Sequence, residues 1–324
     1  MKTSVADTKS DKIINSVNIK PKNKTIDYMM KNSSLYIMLI PVIVYLIVFK
    51  YLPMFGIIIA FKDFNLVKGI LKSDWVGLKY FEALFFNSPA FLVALKNSLI
   101  LSFMQLIWGF PAPIFLALML NEVYKDKFKR VIQTVVYLPH FISWVVISGI
   151  VINFLSPTDG LLNYIIMNVF GGSAVPYLQK PEYFRTIIVV SSIWKEAGWG
   201  TIIYLAAISG IDTTIYEAAI IDGANRFQRI IYITLPAIMS TVVVLLILRL
   251  GSLLSNGFEQ IFLLYSPLTY ETADVIETFT YRLGIQSGQY SYSAAAGLFN
   301  SLIGFILIIS SNILSKKFNE KSIW

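Results

Sequence analysis

Polar side chains that interrupt long apolar stretches are where this chain could do chemistry. Lys195 and Glu196 stand near the middle of one such stretch, Arg249 around the middle of the next, and Asn256, Glu259 and Gln260 towards that stretch's far end. Trp194, Trp199 and Tyr204 lie close in sequence to the first pair. Carboxylates and amides hydrogen-bond the polar groups of a solute, and aromatic rings stack on its apolar faces. Asn256, Glu259, Gln260, Lys195, Glu196 and Trp194 therefore read as a candidate substrate pathway. Lys195 or Arg249 could instead meet an acidic solute. A competing reading pairs these charges inside the helix bundle or across a subunit interface, because charge in lipid is costly; Arg249 fits that reading best. Adjacent helical residues point about 100° apart, so Lys195 and Glu196 are not expected to pair with each other.

Other chemistries lack their residues. The chain has no cysteine, which excludes disulfides, thiolate metal sites and cysteine nucleophiles. The single histidine, His140, argues against a histidine dyad or zinc cluster and reads as a hydrogen-bonded structural residue. No GxxxxGK[ST] phosphate loop is present. No catalytic residue, cofactor site or metal site is expected, which leaves an intramembrane enzyme without support.

The scaffold for these residues lies in lipid. The chain is 324 residues long, 56% apolar and 14% charged; soluble domains average about 45–50% and about 25%. Six stretches, near 34–55, 92–121, 131–154, 186–210, 236–262 and 292–315, approach the roughly 20 helical residues that span a hydrocarbon core. The expected fold is all-α and integral to the membrane: a basic tail (1–33), a six-helix domain (34–315) and a second tail (316–324). The first stretch does not read as a cleavable signal peptide, because its apolar run continues through Ile57 to Ala60 with no small-residue cleavage site. Pro41, Pro111, Pro113 and Pro139 are tolerable where neighbouring helices or waters satisfy the freed carbonyls.

Sixteen of the 27 basic residues fall in the two tails and the second and fourth connections. The other three connections hold seven, and the stretches themselves four. The positive-inside rule then places both termini and the fourth connection in the cytoplasm. The same distribution argues that the net charge of +8 serves the membrane rather than nucleic acid. The N-terminal tail reads as held near anionic lipid, or alternatively as a regulatory contact.

The fourth connection is more ordered than a plain loop. Thr214 with Glu217 has capping-box spacing, and Asp212 is an alternative cap. Ile215, Ala218, Ala219 and Ile220 or Ile221 give a short helix one apolar face. Gly223 supplies a turn with positive φ. A second helix, Asn225 to Thr234, carries Arg226 and Arg229 near the headgroups, and Leu235-Pro236 starts the fifth span with proline in its first turn.

Glu217-Ala218-Ala219, three residues, Gly223, nine residues, then Ile233-Thr234-Leu235-Pro236 resembles the EAA loop of permease subunits of type I ATP-binding-cassette importers at all seven fixed positions. From about residue 34 onwards the chain is similar to the carbohydrate branch, notably at Trp194-Lys195-Glu196 with Gly198, Asp222-Gly223-Ala224 and Tyr292 to Leu298. Tyr51-Leu52-Pro53, Ala60 to Phe64 and Tyr137-Leu138-Pro139 further resemble a subgroup associated with oligo- or polysaccharide uptake.

The resemblance implies half of a translocation pore in a bacterial cell membrane, not an enzyme. A second, related permease would complete the pore, and an ATPase dimer carrying ATP and Mg would dock below it. A sugar-binding protein or lipoprotein would deliver substrate to external loops near 62–91, 155–185 and 263–291. Glu217, Ala218, Ala219, Asp222, Gly223, Leu235 and Pro236 would form the coupling element, with Glu217 facing a basic residue of the ATPase. The alternatives are a permease of the same architecture for phosphate, peptide or polyamine, and a self-contained secondary transporter. The second lacks the expected half-to-half similarity.

Overall fold

The computed structural model describes residues 31–317. Expectations for residues 1–30 and 318–324, most of the two tails, lie outside the described residues. The chain groups into two units, residues 1–57 and 58–324.

The first unit is dominated by α1 (Ser33–Leu46), none of whose residues is buried. It leads through a π-turn at Ile47–Tyr51 into a helical run reaching Phe61, 29 residues in all. A helix apolar on every side, with nothing buried, suits a lipid environment.

The second unit opens on a hairpin of two short strands, β1 (Lys62–Asp63) and β2 (Asp74–Trp75), paired antiparallel. There follow α2 (Lys79–Phe86), α3 (Pro89–Asn121), α4 (Asp126–Phe141), α5 (Trp144–Phe154), α6 (Leu161–Asn168) and α7 (Pro181–Ser209). Next come α8 (Thr213–Ile221), α9 (Arg226–Gly251), α10 (Phe258–Leu264), α11 (Ile276–Tyr281) and α12 (Tyr290–Lys317).

Four helical runs among the described residues are long and apolar enough to cross a membrane: Ser33–Phe61, α3, α9 and Tyr290–Ile313. A fifth arises if α4 and α5 count as one span, although they meet at 103°. The expected third span, 131–154, is therefore sharply broken. The expected fourth is the 29-residue α7, long enough to cross but diluted by Lys195 and Glu196. The expected fifth, 236–262, is not one helix: α9 ends at Gly251, and α10 starts after Gly257 at φ +81°. Arg249 consequently sits in the last turn of its helix rather than in mid-span.

The prolines inside helices explain a recurring distortion. π-turns at Ile47–Tyr51, Gln105–Gly109 and Ile230–Thr234 each end two positions before a proline: Pro53, Pro111 and Pro236. A proline ring clashes with the carbonyl four residues earlier. Here those carbonyls, of Phe49, Ile107 and Tyr232, lie in the middle of the widened turns, which swing them aside. Pro236 is thus interior to a continuous helix, not in the first turn of a new one.

Three apolar clusters hold the second unit. Phe91, Ala94, Leu254, Ile276, Phe279, Ala295 and Ala296 join α3 to α11 and α12. Leu101, Phe184, Ile188 and Ile261 join α3 to α7 and α10. Ala117, Tyr204, Ile208 and Ile238 join α3, α7 and α9. At Gly198 an added Cβ would lie 2.0 Å from the Val136 carbonyl oxygen, so α7 and α4 touch backbone to backbone there.

Candidate functional site

The connection between α7 and α9 is built as a presented helix. Asp212 caps α8, accepting the Thr214 amide at 2.9 Å, and that bond holds its carboxyl below the usual range. The expected Thr214–Glu217 box does not form, because Thr214 already lies inside the helix. At the other end Gly223, at φ +81°, donates to the Ile220 carbonyl while Ala224 donates to that of Ala219 at 2.8 Å. This double closure is a Schellman stop. A reciprocal capping box does form one helix later, between Asn225 and Gln228. The Tyr216 hydroxyl meets that of Thr234 at 2.8 Å, tying α8 to the π-turn of α9.

No residue of α8 is buried. Glu217, Ala218, Asp222 and Gly223 are exposed, and Ala219 and Leu235 partly so. Ile221, Phe227 and Tyr232 are 86%, 70% and 76% exposed around the same turn. Ala219, Asp222, Gly223 and Tyr232 border a hollow of about 320 Å³. Pro236 lies further along α9. An ordered, doubly capped helix with an uncovered apolar rim is a shape for receiving another surface.

The polar residues inside the bundle fall into two clusters. In the first, Lys195 is buried and its Nζ donates to the carbonyls of His140 at 2.7 Å and Ile142 at 2.9 Å. These carbonyls belong to the α4–α5 corner, so Lys195 caps the sharp bend from a neighbouring helix. Glu196 Oε2 lies 2.7 Å from His140 Nδ1, and Oε1 lies 3.6 Å from Lys195 Nζ. The neighbouring pair does interact, contrary to the simple angular expectation, because both long side chains converge on the corner. Trp199 stacks on the His140 ring, centroids 4.5 Å apart. Trp194 points elsewhere and helps line an apolar cavity of about 550 Å³ with Ile150, Phe154 and Tyr183.

In the second cluster Asn256 closes the break between α9 and α10. Its amide donates to the Ser98 and Leu254 carbonyls, its Oδ1 accepts from Ser102, and its backbone N–H donates to Glu277. Gln260 donates to the Ile188 carbonyl and the Ser191 hydroxyl, both at 2.8 Å. Glu259 is exposed, so these three sequence neighbours do not share one surface.

Sequence reasoning missed Ser98, Ser102 and Glu277, the partners of Asn256, and Gln105, which accepts from Arg249 at 2.6 Å. Their only signal was polarity within apolar surroundings. Beside the hairpin, Tyr80 of α2 donates to Asp63 of β1 at 2.7 Å, and burial followed by that bond pushes its hydroxyl up to about 12.

Residues 109–320 match the family described as binding-protein-dependent transport system inner membrane component. Protein LplB of Bacillus subtilis is 49% identical over 90% of this chain and 91% of its own. The polygalacturonan/rhamnogalacturonan transport system permease protein YteP of the same organism is 47% identical over 90% of each. A crystal structure of a bacterial ABC transporter importing the acidic polysaccharide alginate matches with a TM-score of 0.84 at 45% identity, covering 90% of this chain and 98% of that one. A second, with an alginate pentasaccharide-bound periplasmic protein, matches at 0.85 and 45% identity, covering 92% and 99%.

Proposed function

Because the chain belongs to the family of binding-protein-dependent transport system inner membrane components, we propose that it is the pore-forming half of an ATP-driven importer of oligo- or polysaccharide. Six membrane crossings make the half-pore, with α7 and the bent α4–α5 pair each counted as one. The second half is a related permease. A sugar-binding protein delivers substrate to the loops around 62–91, 155–185 and 263–291, and both termini face the cytoplasm.

The observation that carries this reading is α8. It matches the EAA spacing, is capped at both ends and buries none of its own residues. It is hydrogen-bonded to the membrane helix it would move. ATP and Mg bind an ATPase dimer whose cleft receives α8, with Glu217, Ala218, Ala219, Asp222 and Gly223 at the contact. Leu235 and Pro236 transmit motion into α9. An oligo- or polysaccharide substrate is supported by the name of the 47% identical YteP and by the solved alginate importers.

Expression with the neighbouring transport genes, purification in detergent and reconstitution with the binding protein test the proposal. ATP-dependent accumulation of an oligosaccharide is expected. Accumulation driven by an ion gradient without any ATPase would overturn it.

A further inference from the structure

We propose that Arg249 is the residue with which this importer grips the carboxylate of an acidic sugar unit, an inference that rests on the sugar-importer reading above. Although Arg249 is in the last turn of α9, its guanidinium reaches inward. Its Nη2 donates to Gln105 Oε1 at 2.6 Å, and Gln105 stands near the midpoint of α3. Both line a cavity of about 210 Å³ between α3, α7 and α9. Among the described residues no carboxylate forms an ion pair with Arg249. An arginine within a membrane bundle normally has an anionic partner or a pathway role.

Glu196 is the one carboxylate in that cavity wall, and it is already engaged by His140 and Lys195. The cavity is therefore left with the positive charge of Arg249 in excess. A guanidinium carries five N–H donors in a planar fork that matches a carboxylate bidentately. Gln105 occupies one donor and fixes the plane, leaving the rest of the fork open to the cavity. Gly109, Phe110 and Pro113 supply the apolar wall that a sugar ring face needs. The volume is below the roughly 300 Å³ of ordinary ligand pockets, so the site holds one ring of a chain that extends beyond it. A neutral sugar would leave the guanidinium without its anion; a uronic acid unit supplies it.

The test uses the complete reconstituted importer with its binding protein at saturating concentration, so that selection in the pore is what is read. The probes are a uronic acid trisaccharide and its fully methyl-esterified, neutral form. The wild type is expected to carry the acid faster than the ester. Arg249→Gln should lower uptake of the acid about tenfold or more, the loss of one charged hydrogen-bonded contact, and change ester uptake less than about twofold. Arg249→Lys, which keeps charge but loses the fork, should fall between. Copurification with the ATPase checks assembly of each variant. Should Arg249→Gln fail to assemble, acid-over-ester selectivity in the wild type and its reduction in the Lys variant still decide. A wild type that carries both forms equally, or an equal effect on both in the variants, overturns the inference while leaving the sugar importer in place. A wild type that carries neither form, nor any neutral oligosaccharide, removes the underlying reading as well.

Discussion

Glu217 and Lys195 are both charged residues on helices, yet the structure puts them to opposite uses. Glu217 is exposed on a helix that buries nothing, so its charge is available to another subunit. Glu217→Lys is expected to abolish ATP-dependent uptake and ATPase copurification while leaving membrane insertion and detergent stability unchanged. Normal uptake by that variant would detach the EAA loop from coupling. Lys195 is buried, and three carbonyls at the α4–α5 corner, those of Pro139, His140 and Ile142, depend on its ammonium group. A buried carbonyl left without a donor costs about 1–3 kcal/mol. Lys195→Met should therefore lower the thermal midpoint of the purified protein by several degrees. An unchanged midpoint would show that the corner holds without its cap.

Glycine and proline decide the elements around the coupling loop. At Gly223 an added Cβ meets nothing within 4 Å, so only the φ of +81° restricts the position. Asparagine tolerates that region and valine does not. Gly223→Asn is expected to keep most uptake and Gly223→Val to lose it, measured at equal membrane content. Equal activity of the two would mean that the Schellman stop does not position α8. Gly198 is limited by space instead, with the Val136 backbone against it. Gly198→Val should disrupt α4–α7 packing and reduce the yield of monodisperse protein. The π-turn before Pro236 carries Thr234, the anchor for Tyr216. Pro236→Ala removes the clash that widens this turn. Closing it to an α-turn rotates one side of α9 against the other by roughly 100°. Uptake is expected to fall while ATPase binding persists, which separates transmission from docking.

For the whole molecule the decisive expectation is geometric: α8 and both termini share the side of the membrane that holds ATP. Single cysteines in this cysteine-free chain, placed at Ile221 or Phe227, should crosslink to the ATPase and resist impermeant thiol reagents added to intact cells. Cysteines at Trp75 or Tyr290 should react with those reagents. Labelling of Ile221 from outside would invert the topology and end the coupling proposal.

Composition and apolar run length sufficed for the helical membrane class, because lipid demands long uninterrupted apolar segments whatever their neighbours. The seven-position EAA pattern likewise identified α8 and its glycine stop, since caps and positive φ are local properties of a few consecutive residues. Run length misjudged 131–154 and 236–262, where the chain breaks at Ile142-Ser143 and near Gly257. The first break is held by Lys195, 53 to 56 positions away from the carbonyls it caps, and the second by Asn256, which reaches Ser98, 158 positions away. The partners of Lys195, Glu196 and Arg249 were likewise settled only by helix packing, because a charge's partner depends on which helices meet, and periodicity along one helix carries no record of that.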